Sequence, residues 1–159
     1  MATATMKEVE EFAHRSLKKW IKIAYSEPQL RARVWRRDAK KQAVPFHVDL
    51  TLCTAPKMTE LNQIFRGIKK PTDVLSFPVV EFFQLQGYLG DLVICYPVLI
   101  KQATELKLSW KKEADTLIVH GLLHLLGFDH ETTPADAKLM AKWEKKLLGL
   151  KTKGLISRA

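Results

Sequence analysis

The stretch His120-Gly121-Leu122-Leu123-His124-Leu125-Leu126-Gly127-Phe128-Asp129-His130 decides how this 159-residue chain is read. It gathers three of the five histidines into one helical turn and one short loop. His120 and His124 are four apart, so at ~100° per residue they stand only ~40° out of line on one helix face. Gly127 ends that helix, because glycine takes up a left-handed turn without strain. The chain then folds back and brings His130 towards the same point from a third direction. A lone histidine in an apolar helix is usually a hydrogen-bonded core residue. Three at this spacing, around a helix-ending glycine, point instead to a metal. Three neutral imidazoles leave a fourth tetrahedral position free, the arrangement of a catalytic zinc. Asp129 either orients a ligating imidazole or caps the turn.

Working outward, residues 111–126 read as one helix, apolar on most sides through Ile118, Val119, Leu122, Leu123, Leu125 and Leu126, hence central and buried. Its histidine spacing matches the long zincin motif H-E-x-x-H-x-x-G-x-x-H, except that Gly121 stands where the glutamate serves as general base. Peptide hydrolysis by that route loses its proton acceptor. A dication held by three uncharged ligands keeps its full charge, which suits an anionic phosphodiester better than a neutral amide.

Upstream, alternation from His47 to Cys53 predicts a half-buried strand with Val48, Leu50 and Leu52 on one face. A short helix from Thr59 carries Asn62 and Arg66. Pro71 and Pro78 bracket a second strand, Val74-Leu75-Ser76-Phe77, and a third runs from Asp91 to Cys95 before Pro97 opens a helix. Pro134 starts a final helix with Met140, Trp143, Leu147 and Leu148 inward. At the front, Met1 to Thr5 reads as a loose tail. Residues 7–24 form an amphipathic helix, packed on a core in preference to a membrane surface. Pro28 and the arginines after it mark a connection with room for a second short helix. Three or four strands among five or so helices make one α+β domain over 1–159, in which the basic, helical residues 1–45 are the least defined.

The formal charge of +9 is unevenly spread. Residues 1–45 carry eleven Lys/Arg against five acids, 138–159 seven against one, and the middle eight against eleven. Basic ends around a metal-bearing centre are what a nucleic-acid enzyme uses to hold phosphates, although exposed lysines also serve solubility. Arg31, Arg33, Arg36 and Arg37 form the densest cluster around Trp35, which either stacks on bases or packs on the core. Cys53 and Cys95 lack the paired spacing of a zinc knuckle and read as buried, reduced thiols. No run approaches a membrane span and no signal segment opens the chain, so a cytoplasmic protein is expected.

Three blocks together resemble the YbeY family of bacterial ribosomal-RNA maturation factors, described as metal-dependent endoribonucleases. They are His120-Gly121-x-x-His124-Leu125-x-Gly127-Phe128-Asp129-His130; Leu61-Asn62-x-x-Phe65-Arg66-Gly67 followed by Pro71-Thr72-Asp73-Val74-Leu75-Ser76-Phe77-Pro78; and Leu89-Gly90-Asp91-Leu92-Val93-Ile94-Cys95. The resemblance covers residues 46 to 148. It implies a zincin-like mixed sheet, one zinc on His120, His124 and His130, and a role in activity for Arg66. It also implies single-stranded ribosomal RNA as substrate, in small-subunit 3′ maturation and ribosome quality control. The small ribosomal subunit, its proteins and an assembly GTPase become candidate partners. Family members often open with a strand, whereas this chain opens with a helical pattern. Arg66 is either a stabiliser of transition-state charge or a structural partner of Asp73 or Asp91. The competing functions are a ribosome assembly factor with a largely structural zinc and, disfavoured by Gly121, a zinc peptidase.

Overall fold

The computed structural model describes residues 3–34 and 44–149, arranged as seven helices and one sheet of three strands. Trp35, Arg36 and Arg37 lie outside the described residues. The chain opens with α1 (Met6–Ser26), preceded by no strand among the described residues. Of the expected loose tail only residues 3–5 are described, and Ala4 and Thr5 are built into the fold. Thr5 caps α1 in a reciprocal box with Glu8, its own N–H donating to Glu8 Oε2 at 2.7 Å. Ala4 is buried, and its carbonyl accepts from the Tyr96 hydroxyl at 2.5 Å. After α1 comes α2 (Pro28–Val34), the short helix for which Pro28 left room; it carries Arg31 and Arg33.

The sheet holds β1 (His47–Cys53), β2 (Val74–Pro78) and β3 (Tyr88–Cys95) in the order β1-β3-β2. β1 runs parallel to β3 and β2 antiparallel to it, so the sheet is mixed as expected. Val48, Leu50 and Leu52 are buried on one face with Leu92 and Ile94, confirming the period-2 reading of β1. On the other face Cys53, Leu75 and Cys95 meet Met58 in a smaller cluster. Both cysteines are free and buried, and burial is the first cause pushing the Cys53 thiol up to about 11.

Met58 belongs to α3 (Ala55–Arg66), which begins four residues before the expected Thr59. The reason is local: Thr54 caps the helix and Pro56 occupies its first turn. A one-turn α4 (Glu81–Gln84) joins β2 to β3, and α5 (Tyr96–Glu105) follows β3. With α2, the one-turn α4 raises the helix count from about five to seven.

α6 (Trp110–Leu125) is the central element. Leu117, Ile118, Leu122, Leu123 and Leu125 are all essentially inaccessible. Each such side chain contributes roughly 2 kcal/mol of transfer free energy, so this helix anchors the core. Its Asp115 ties down α1, accepting from Trp20 Nε1 at 2.8 Å and from the Ser16 hydroxyl. α7 (Pro134–Leu148), capped by Thr133, packs back on α6 through Met140 and Trp143.

Candidate metal centre

α6 ends as the sequence requires. Gly127 has φ +92, its N–H donates to the His124 carbonyl at 2.9 Å, and Phe128 N–H donates to the Leu123 carbonyl at 3.1 Å. This is a Schellman motif, and its left-handed residue reverses the chain. His130 is thereby returned beside the helix. The three imidazoles lie with ring centroids 4.7 to 5.3 Å apart, and one nitrogen from each falls within 4.8 Å of the others.

Their chemistry fits a metal ion. His120 Nε2 and His124 Nε2 are 3.2 Å apart, close to the ~3.3 Å separation of two nitrogens bound tetrahedrally at ~2.0 Å. Both ring nitrogens of His130 are buried without a hydrogen-bond partner, a costly condition that coordination would relieve. Burial, reinforced by the neighbouring His120 and His130, pushes His124 down to about 4. It therefore offers a neutral lone pair at pH 7.

One residue of this centre escaped the sequence reading. Glu144, on α7, places Oε1 2.6 Å from His120 Nδ1, with only 4% of its side chain exposed. Nδ1–H donates to the carboxylate, which leaves the Nε2 lone pair facing His124. A signal for it existed: Glu144 is the single acid among seven bases in 138–159, and it shares a helix face with Met140 and Leu147.

Asp129 resolves towards the second of its two readings. Its Oδ1 accepts from the Glu131 backbone N–H at 2.8 Å, the first cause of its lowered pKa, so it caps the turn. Arg66 pairs with neither of the two acids offered as its structural partners. Asp73 takes the Val74 N–H at 2.8 Å and Asp91 takes the Tyr88 hydroxyl at 2.6 Å. Arg66 Nη2 instead meets Glu131 Oε1 at 3.2 Å, and that same oxygen is 3.8 Å from His130 Nε2. Arg66 and the histidines line one cleft of about 410 Å³, with β2 along its side.

Gly121 has a packing reason. A Cβ there would lie 2.7 Å from Leu92 Cδ2 and 3.3 Å from Ser76 Oγ, and Leu92 is fully buried. The absent side chain lets α6 settle onto the sheet, where the Ser76 hydroxyl donates to the Gly121 carbonyl at 3.3 Å. A side chain at this position would require the buried Leu92 side chain to shift.

A family model described as Endoribonuclease YbeY matches residues 3–150. The chain is 44% identical over 104 residues to Endoribonuclease YbeY of Sulfurihydrogenibium sp. (strain YO3AOP1), covering 63% of this chain and 66% of that protein. It is 44% identical over 95 residues to the protein of that name from Persephonella marina, covering 58% and 62%. The Thermotoga maritima protein of that name is 36% identical over 107 residues, covering 67% and 69%. The chain thus spans just under two thirds of the length of the first two of these relatives. The solution structure of a protein from Thermotoga maritima superposes with a TM-score of 0.55 at 26% identity, covering 92% of this chain and 83% of that one.

Proposed function

This chain belongs to the endoribonuclease YbeY family, and on that premise we propose that it is a zinc-dependent endoribonuclease. Its substrate is single-stranded ribosomal RNA, and its work is small-subunit 3′ maturation and ribosome quality control in the cytoplasm. Among the described residues no helix is long and apolar enough to cross a membrane. The whole chain, 1–159, acts as one domain with one zinc.

The observation that carries this reading is the convergence of His120, His124 and His130 on one point beside Arg66, in a cleft without a carboxylate at position 121. We assign the three histidines as ligands and Arg66 as the phosphate-binding group. When bound, the zinc supplies a Lewis-acidic charge next to the scissile phosphate. The protein's own groups do the rest. Glu144 fixes the tautomer of His120. Burial keeps His124 neutral and ready to bind. Arg66 exchanges its exposed partner Glu131 for a phosphate oxygen and neutralises the charge that grows there.

Incubating the purified protein with structured ribosomal RNA and with a peptide library, each with and without chelator, tests this. Cleavage of RNA alone, lost on chelation and restored by zinc, is expected. RNA binding without cleavage would transfer the protein to the assembly-factor class, and peptide cleavage would make it a peptidase.

A further inference from the structure

The strand β2 separates two recesses. Ser76 and Pro78 face the metal cleft, whereas Phe77 faces a second, larger recess of about 1520 Å³ that runs to α1. The end of α3 straddles the same divide. Arg66 lines the cleft, and the residue before it, Phe65, lines the recess. Phe65 is 61% exposed, and its ring stands edge-on to Phe77, centroids 4.8 Å apart and planes at 67°. An aromatic ring held at a fixed angle by a second ring, yet open to solvent on its free side, has the form of a stacking surface.

The opposite wall of the recess carries Lys18 and Lys22, four apart on α1 and both exposed. Neither is paired with an acid among the described residues, in contrast to Lys19, which lies 3.8 Å from Asp115. Two acids, Asp49 and Asp91, also reach the recess. The first faces His47 Nε2 at 3.0 Å and the second accepts from the Tyr88 hydroxyl at 2.6 Å; both remain anions, and Lys18, Lys19 and Lys22 outnumber them in the recess. The recess therefore offers an exposed ring on one wall and free cations on the other, the combination that grips single-stranded nucleic acid through bases and phosphates.

We propose that Phe65, backed by Phe77, is a stacking platform for the base adjoining the phosphate held at Arg66. From there the single strand passes over β2 into the recess, where Lys18 and Lys22 meet its backbone. This inference rests on the endoribonuclease reading above. What favours RNA over a protein partner is continuity. Phe65 and Arg66 are consecutive on α3 but turn ~100° apart, one to each recess, so a strand with its phosphate at Arg66 has only to cross β2 to reach the ring. A preference for single strands follows directly, because a base in a duplex has no free face to stack.

The test uses the full-length, zinc-loaded protein and a fluorescent single-stranded oligoribonucleotide, with affinity measured by anisotropy across a salt series. Phe65→Ala and Phe65→Leu should each weaken binding about 5- to 150-fold, the loss of one stacked base, whereas Phe65→Tyr should bind like wild type. Because the ring is mostly exposed, zinc content and melting temperature should hold in all three. Lys18→Ser with Lys22→Ser should reduce the log–log salt slope by about 1.4, since each phosphate contact contributes about 0.7 on a single strand. If Phe65→Leu binds RNA as wild type does, the platform is overturned and the patch is an apolar protein-docking surface. If Phe65→Leu fails to fold or loads no zinc, the ring is structural and the proposal is equally overturned. A wild-type protein that binds no RNA overturns the functional reading, and the platform with it.

Discussion

Replacing Glu144 should weaken zinc binding without dismantling the fold, and the expected size follows from its surroundings. The carboxylate lies 2.6 Å from His120 Nδ1, with the two side chains only 4% and 12% exposed, so water cannot take its place cheaply. Losing such an outer partner of a metal-ligating histidine costs roughly 10- to 100-fold in metal affinity, or about 1.4–2.7 kcal/mol. Glu144→Gln keeps an acceptor oxygen for Nδ1–H but loses the charge, so its effect belongs near ~10-fold. Glu144→Ala removes both and leaves Nδ1 without its partner, which places it near ~100-fold. Competition against a chromophoric zinc chelator measures the affinity. Urea unfolding of the chelated protein measures any loss of stability separately. The graded order wild type, Gln, Ala is the signature of a positioning role. Equal zinc affinity in all three, with the chelated proteins equally stable, would refute the idea that this carboxylate orients the imidazole.

The histidines themselves should show no redundancy: elemental analysis should find one zinc per wild-type chain, and His120→Ala, His124→Ala or His130→Ala should each lose most of it. Arg66→Ala should lower RNA turnover by ~100-fold or more, and Arg66→Lys should recover only part, since an ammonium lacks the bidentate fork. Its ion pair with Glu131 is exposed and worth ~0–1 kcal/mol at most, so a melting temperature that falls steeply in Arg66→Ala would mark the residue as structural instead. In the chelated protein an NMR titration should place the His124 midpoint near 4, against about 6.5 when unfolded. As pH falls through that window the unfolded chain takes up a proton that native His124 refuses, so the metal-free protein loses stability between about 6.5 and 4. A native midpoint near 6.5 would contradict the burial argument.

The features of this molecule that could be read from its sequence are those set by neighbours along the chain. The i, i+4 histidine pair, the helix-ending Gly127, the alternation in β1 and the prolines at the starts of α5 and α7 all act within one or two turns. What went unread depends on distance or brevity. Glu144 meets His120 across 24 residues, and Arg66 meets Glu131 across 65, so the carboxylates nearest in sequence, such as Asp73, were the wrong candidates. α4 is a single turn of four residues, too short for any periodicity to show. The start of α3 was legible in principle, since Thr54 and Pro56 spell a capped first turn four residues ahead of the expected Thr59.

Gly121 joins the fold and the chemistry most directly. Its missing side chain lets the metal helix approach Leu92 and Ser76 closely, and the same absence removes the general base that a peptidase of this spacing would use. Close packing fixes α6 against β2, and β2 in turn forms one side of the cleft that Arg66 lines. The position that a peptidase devotes to proton transfer serves rigidity in this chain. Electrostatic neutralisation of a phosphate demands that rigidity, because a preorganised cation loses its effect when its distance from the reacting oxygens can vary. A side chain at 121 would have to displace the buried Leu92 side chain and crowd the Ser76 hydroxyl. The glycine is therefore as integral to the phosphodiesterase reading as the histidines on either side of it.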